Sequence, residues 1–218
     1  MFRHHWTTTW TAATLLVALI AACTAATAAD DQGFVPLFNG KDLAGLVTKG
    51  NWIVEQQGVV ALKPRPGERG WQRYDAYLWA EKQYGDFILD LEYKIPQGGN
   101  SGVFVRVGDA DNPVSTGIEI QILDSHGKQG QLGAHDCGGV VGTAGPSKNT
   151  SKPAGEWNRM VVTCQGSRMQ VALNGEQIID LKLDESAAKN RPLTGHVGLQ
   201  DHGQPIEFRN IKIKELKL

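Results

Sequence analysis

Three short stretches of the chain carry side chains able to bind and activate a polar ligand. Residues 117–124 read Gly-Ile-Glu-Ile-Gln-Ile-Leu-Asp. In an extended strand residues i, i+2 and i+4 share a face, so Ile118, Ile120 and Ile122 turn to a core and Glu119 and Gln121 to the opposite surface. The same alternation in residues 100–106 sends Val103 and Val105 inward and sets Asn100, Gly102, Phe104 and Arg106 together on the other side. In residues 195–203, Val197 and Leu199 go inside while His196, Gln200 and His202 share the opposite face. A carboxylate, amides, imidazoles and a guanidinium beside small glycines offer hydrogen bonds and leave room for a ligand. If the three strands are neighbours in one sheet, that face is a groove of the size of a sugar. The solvated outer face of any antiparallel sheet alternates in the same way, but a solubilising face favours Lys, Glu and Thr over Asn, Gln, His and Arg amid glycines.

The elements that must position these residues are short period-2 runs bounded by turn residues, at 52–62, 87–95, 102–107, 118–123, 158–164, 168–173, 176–180, 195–200 and 206–215. Asn174-Gly175 between two of them predicts a type I′ hairpin, because both central positions need positive φ. No long window carries a helical period, apart from a turn at 184–189. The pattern is that of an all-β protein, an antiparallel sandwich or jelly roll. Residues 124–153 form a long glycine-rich stretch without an evident element, which in a compact domain marks a binding loop. Trp52 and Trp157 sit in apolar strand contexts and are expected in the core.

Composition narrows the function. With 22 Lys+Arg against 23 Asp+Glu, the chain lacks the positive footprint that a phosphate backbone demands, so no nucleic-acid partner is expected. Residues 1–29 have the three-part layout of a secretory signal: Arg3, His4 and His5, an apolar stretch over 12–22, then small residues. Ile20-Ala21-Ala22-Cys23 has lipoprotein-signal spacing, which would make Cys23 a lipidated membrane anchor, whereas Ala26-Thr27-Ala28 fits ordinary cleavage. Either reading exports a single domain, residues 30–218, to the periplasm or cell envelope. Cys137 and Cys164 remain, as a disulfide permitted by that compartment or as two buried thiols.

The motifs Leu37-Phe38-Asn39-Gly40-Lys41-Asp42-Leu43, Gly85-Asp86-Phe87, Gly98-Gly99-Asn100-Ser101-Gly102, Glu119-Ile120-Gln121-Ile122-Leu123-Asp124, Lys152-Pro153-Ala154-Gly155-Glu156-Trp157-Asn158, Leu173-Asn174-Gly175 and Gly198-Leu199-Gln200-Asp201-His202-Gly203 followed by Phe208-Arg209-Asn210-Ile211 occur in this order. Together they resemble the 3-keto-disaccharide hydrolase family over essentially the whole chain from Phe34 to Leu218. The resemblance implies a concanavalin A-like, laminarinase-like jelly roll of two antiparallel sheets with the site on the concave face. It also implies cleavage of glycosides already oxidised to a ketone at C3, so that the partner is a small carbohydrate.

A C3 ketone acidifies the C2 hydrogen. A base can remove that proton, the enolate can expel the glycosidic oxygen from C1, and water can add back. Such a site needs a base, a group to stabilise the enolate and an acid for the leaving group. Glu119, Asp124, His126 and His135 are the candidates for the base, both histidines lying in the long loop. Arg106 is the expected enolate stabiliser, being always charged. No cofactor is specified by the sequence, although a divalent metal could take the enolate role. Asn100, Gln121, His126, Gln200 and His202 are expected to bind sugar hydroxyls, and Trp71 and Trp79 to stack on a ring. Two other readings stand beside this one. A conventional laminarinase-like glycoside hydrolase would use Glu119 and Asp124, but their odd offset puts them on opposite faces unless a bulge intervenes, whereas a retaining pair needs carboxyls ~5–5.5 Å apart. A non-catalytic carbohydrate-binding domain would need only the groove.

Overall fold

The computed structural model describes residues 32–217, together with Met1; the expected secretory signal and Cys23 fall on residues outside the described ones. From Val35 onward the chain folds as two packed antiparallel sheets, a jelly-roll sandwich. The larger sheet contains β1 (Val35–Pro36), β3 (Trp52–Glu55), β4 (Val59–Leu62), β6 (Phe87–Lys94), β9 (Asn158–Gln165), β10 (Arg168–Leu173), β11 (Glu176–Lys182) and β13 (Ile206–Glu215), in the order β11, β10, β9, β6, β13, β4, β3, with β1 on β13. The smaller sheet contains β2 (Leu46–Val47), β5 (Leu78–Tyr84), β7 (Asn100–Val107), β8 (Ile118–Leu123) and β12 (Gly195–Leu199), in the order β2, β5, β12, β7, β8. A one-turn helix, α1 (Pro113–Thr116), links β7 to β8. The three strands singled out from the sequence are therefore adjacent, with β7 between β12 and β8.

Alternation places the core as expected. Val103, Val105, Ile118, Ile120, Ile122, Val197 and Leu199 are all buried between the sheets, against Leu89, Leu91, Met160, Val162, Phe208 and Ile213 of the larger one. At roughly 1.5–3 kcal/mol for each fully buried large aliphatic, this seam supplies the main favourable term. Asn174 and Gly175 take φ of 53° and 85°, the paired left-handed conformations of a type I′ hairpin.

Elsewhere the elements depart from the alternation. The expected single strand 52–62 is a hairpin, because Gln56–Gly58 forms a 3-10 turn and Gly58 takes φ 72°, folding Leu62 back onto Trp52. Strand β5 escapes a period-2 reading: Leu78, Trp79 and Ala80 are buried on both faces and Glu81, Lys82 and Gln83 are all exposed. Trp52 is core, its Nε1 donating to the Ala76 carbonyl. Trp157 is not; it is half-buried on the outer side of the larger sheet beneath Lys94 and Arg209, whose guanidinium lies 4.0 Å from the ring centre. Cys137 and Cys164 are both buried and free, so the buried-thiol reading holds and no bridge forms.

The smaller sheet has a second, unexpected layer. Tyr77, Trp79, Phe104 and Val107 form a cluster on its face away from the core, with Tyr77 5.6 Å from Trp79 and 5.5 Å from Phe104 between ring centres. Such offset and tilted pairs stabilise beyond their buried area. This aromatic bed forms one end of the surface that carries the site.

Candidate active site

The long loop 124–153 builds the missing wall of the groove. Its segment 138–141 runs along the free edge of β8: Gly138 N donates to Gln121 O, Gln121 N to Gly139 O, and Val141 N to Glu119 O, at 2.8, 2.8 and 3.0 Å. Pairing covers the edge of β8, which would otherwise be an open template for another strand. It also brings His135 and Val141 over the outer face of the smaller sheet. The resulting groove, about 280 Å³, is lined by Trp71, Asn100, Val114, Glu119, Gln121, His135, Val141, Gln200 and His202. Seven of these are residues that the sequence marks for catalysis or binding.

Glu119 is the chemical centre. It is largely buried, and desolvation pushes its carboxyl up to about 7 against an ordinary 4.5, opposed by a hydrogen bond from Gln200. That donor, Gln200 Nε2 at 3.0 Å from Oε1, is the only hydrogen bond to the carboxylate among the described residues, and no ion pair reaches it. An acid of this kind exchanges protons near neutrality, which a general base requires. Room for it comes from Gly102, opposite Gln121 on the neighbouring strand. A Cβ there would lie 2.6 Å from Glu119 Oε1, inside contact distance. Gly102→Ala is expected to displace the carboxylate and reduce kcat roughly 10²-fold, the order expected for an ångström-scale misplacement, with little change in the melting temperature. Parallel activity and thermal-unfolding measurements on the purified variant test this.

The remaining polar groups interlock. Gln121, buried, donates through Nε2 to Asn100 Oδ1 at 2.8 Å. The Asn100 amide nitrogen then faces His202 Nε2 at 3.3 Å, so Nε2 is the acceptor and the imidazole proton sits on Nδ1. Burial pushes the His202 pKa down, which keeps the ring neutral in this role. Gln200 is fixed by its backbone: its N donates to Gly102 O and its O accepts from Ser101 Oγ. The turn that follows is pinned by Asp201, buried, which accepts from Gly203 N at 2.7 Å and from Arg73 Nη2 at 2.6 Å. Gln200 Oε1 is buried without a partner, so the amide is held through its nitrogen by Glu119.

Several sequence-marked residues lie elsewhere. Arg106 is not in the groove. Three steps of β7 from Phe104 to Val107 oppose two steps of β12 from Gly198 to His196, and Arg106 takes φ 51° in this bulge. The extra residue reverses its face: Arg106 is fully buried and donates to Gly85 O, Gly166 O and Asp86 Oδ1 at 3.0, 2.7 and 3.0 Å. It clamps the two sheets and cannot meet a ligand. His196, beyond the same bulge, is tied to Ala80 O and Gln83 rather than joining Gln200 and His202. Asp124 accepts from Gly98 N and holds the turn before β7, so it forms no pair with Glu119. His126 is exposed and bonded to Ser151 O. Trp79 is buried in the aromatic cluster, its Nε1 on Tyr74 O, and offers no platform; Trp71, 37 % exposed at the rim, does.

Val114 and Val141 line the groove and were not marked by the sequence, since contact between loops leaves no periodic signal. Among the described residues no three His, Cys, Asp or Glu side chains are grouped to hold a metal ion.

Comparison with known proteins agrees with the fold. Two crystal structures from Parabacteroides distasonis ATCC 8503, both described as candidate glycosyl hydrolases, superpose with TM-scores of 0.70. One is 29% identical over 84% of this chain and 99% of its own, the other 27% over 86% and 96%. The carbohydrate-binding module CBM66 from Bacillus subtilis, 13% identical, shares the fold alone, with a TM-score of 0.56 over 84% of this chain and 94% of its own. A curated protein of Bacteroides thetaiotaomicron named 3-keto-disaccharide hydrolase is 22% identical over 232 aligned residues, covering 86% of this chain and 80% of that one. Residues 33–214 match the profile of the 3-keto-alpha-glucoside-1,2-lyase-like domain, and the chain belongs to that family.

Proposed function

We propose that this protein is a carbohydrate-cleaving enzyme acting on 3-keto-glycosides, 3-keto-disaccharides among them, with Glu119 as the base that removes the C2 proton. The observation that carries this reading is a buried carboxylate on the floor of a sugar-sized groove, with a pKa raised to about 7 and no second carboxylate among the described residues that line the groove. Ordinary two-carboxylate hydrolysis lacks its partner, because Asp124 is engaged with Gly98. The C2–H bond breaks to Glu119, and its electron pair moves into the C2–C3 bond and onto the ketone oxygen. When the C3 carbonyl re-forms, a C1–C2 double bond forms and the C1–O bond breaks, the departing oxygen leaving as an alcohol with a proton from water while Glu119 returns its own proton to solvent. Addition of water across that double bond completes a net hydrolysis. His135, on the wall opposite, donates to the ketone oxygen as charge develops. Asn100, Gln121 and Gln200 orient the ring hydroxyls, and Trp71 stacks on its apolar face. The membership of the chain in its family and the name of the Bacteroides relative support the substrate class. The layout of residues 1–29 supports placement in the cell envelope.

The pH profile tests the base. With a 3-keto-glycoside, kcat/KM is expected to rise through a limb near pH 7. Gln200→Met removes the hydrogen bond that favours the carboxylate. At ~1.5–3 kcal/mol for a bond to a charged group, the limb should move up by roughly 1–2 pH units. A limb at pH 4–5, or one unmoved in Gln200→Met, would remove Glu119 from the role.

A further inference from the structure

Residues 63–73 carry Trp71 to the rim of the groove, yet little in the segment itself holds it there. Among the described residues, 69–72 take part in a single hydrogen bond, in which the Tyr77 hydroxyl donates to Trp71 O at 2.7 Å. Gly70 takes φ 76°, and no atom lies within 4 Å of where its Cβ would be, so packing does not confine the chain just before Trp71. The segment is pinned on either side, where Glu68 accepts from Arg65 N and Arg73 donates to Asp201, each at 2.6 Å.

Tyr77 is the opposite of an exposed tether. It is fully buried, and its ring lies 5.8 Å from Tyr74, 5.6 Å from Trp79 and 5.5 Å from Phe104 between centres. Tyr74 in turn lies 6.0 Å from Trp71, and Phe104 stands opposite Glu119 in the pairing of β7 with β8. A continuous column of rings therefore runs from the strand beside Glu119 to the rim, and Tyr77 is the member that meets the backbone of Trp71. Burial pushes its pKa up, against an opposing effect of the Gln200 amide, so the hydroxyl keeps its proton and remains a donor whichever state Glu119 is in. Tyr77 does not line the groove and cannot touch a ligand.

We propose that Tyr77 is a positioning residue, whose hydroxyl sets the height of Trp71 over the groove and so the affinity for the sugar ring. This rests on the 3-keto-glycoside reading and on Trp71 as its stacking platform. A gap of ~0.5–1 Å already forfeits a quarter to a half of a dispersion contact, so the Trp71 backbone must be held where its indole meets the sugar. The Tyr77 hydrogen bond holds it from a packed base. Glu119 is fixed separately, by β8 and Gln200, so losing the Tyr77 hydroxyl weakens binding and leaves proton transfer intact.

The test is a double-mutant cycle, with methyl 3-keto-α-D-glucopyranoside as substrate and methyl α-D-glucopyranoside as a competitive inhibitor that binds without reacting. Tyr77→Phe keeps the ring and its contacts and removes only the hydroxyl. KM and the inhibition constant should each rise roughly 3–10-fold, the scale of one neutral hydrogen bond, with kcat changed less than about threefold and the pH limb unmoved. Trp71→Ala alone should raise both constants by roughly tenfold. Adding Tyr77→Phe to Trp71→Ala should then raise neither further, because the two residues act through one contact. A merely structural tyrosine would lower the unfolding temperature alike in both backgrounds without this dependence on Trp71. Equal increments from Tyr77→Phe with and without Trp71, or no increment at all, overturn the role of Tyr77 and leave the proposed function standing. Unchanged constants in Trp71→Ala remove the platform, and no turnover of the 3-keto substrate by the parent protein sinks the 3-keto-glycoside reading, each taking the role of Tyr77 with it.

Discussion

Glu119→Gln is expected to lower turnover of a 3-keto-glycoside by ~10²–10⁴-fold, the usual contribution of a positioned general base. The glutamine keeps the shape of the side chain and loses the ability to accept a proton from C2. Its effect on stability should have the opposite sign. In the unfolded chain the carboxyl titrates near 4.5, and in the folded protein near 7, because burial disfavours the anion. Between these values the native state holds a proton that the unfolded state has released. The associated stability is complete below pH 4.5 and is lost as pH rises through 7. Each pH unit between the two values corresponds to about 1.36 kcal/mol, and with partial hydration of the carboxylate the penalty above pH 8 is roughly 1–3 kcal/mol. Denaturant unfolding should therefore find Glu119→Gln more stable than the parent at pH 8, and by a smaller margin at pH 4.5. A difference independent of pH would show that the carboxyl is not perturbed by burial.

Arg106→Met should behave in the reverse manner, with a loss of stability of roughly 3–5 kcal/mol, the cost of breaking a buried charged cluster by removing one partner. The change leaves the Gly85 and Gly166 carbonyls and Asp86 without the guanidinium that joins them. For a domain whose total stability is ~5–15 kcal/mol, that is a large fraction, and expression at reduced temperature will be needed. The protein that does fold should keep its activity per native molecule and its pH limb. A variant that unfolds at the parent's temperature but has lost turnover would return Arg106 to the catalytic centre.

The contrast between these two residues shows what alternation can and cannot convey. Glu119 and Arg106 occupy the same parity beside equally apolar neighbours, Ile118 and Ile120 in one strand and Val105 and Val107 in the other. Strand β8 is regular throughout its pairing with β7, so Glu119, Gln121 and the three isoleucines land where period 2 puts them. Strand β7 carries a bulge where it meets β12, and one extra residue turns Arg106 inward and Val107 outward. No glycine or proline of β7 itself marks the bulge, although Gly198 of β12 lies at the register shift and a Cβ on Gly195 would lie 2.5 Å from the Arg106 carbonyl carbon; the left-handed conformation falls on the arginine itself, held there by three acceptors contributed by distant segments. His196 keeps its parity opposite the buried Val197 but lies outside the groove, tied to Ala80 O and Gln83.

Asp124 and His126 fail for another. They follow the end of β8, where parity no longer defines a direction, and each is fixed by a contact with a turn from elsewhere in the chain, Gly98 for one and Ser151 for the other. The loop that holds His135 was legible as a functional segment from its length and glycine content. Its course along the β8 edge was not, since pairing by residues 138–141 depends on tertiary contact rather than on any local pattern. Val114 and Val141 enter the site only through such contacts.

The central claim is that removal of the C2 hydrogen of a 3-keto sugar, by Glu119, starts bond cleavage. The most direct test is turnover of a 3-keto-glycoside deuterated at C2 beside its protiated form, read by single-turnover kinetics so that chemistry is isolated from product release. A primary isotope effect on cleavage is expected, with turnover lowered ~10²–10⁴-fold in Glu119→Gln and no cleavage of the matching glycoside that carries a 3-hydroxyl in place of the ketone. Equal rates for the two isotopologues, together with ready hydrolysis of the unoxidised glycoside, would contradict it.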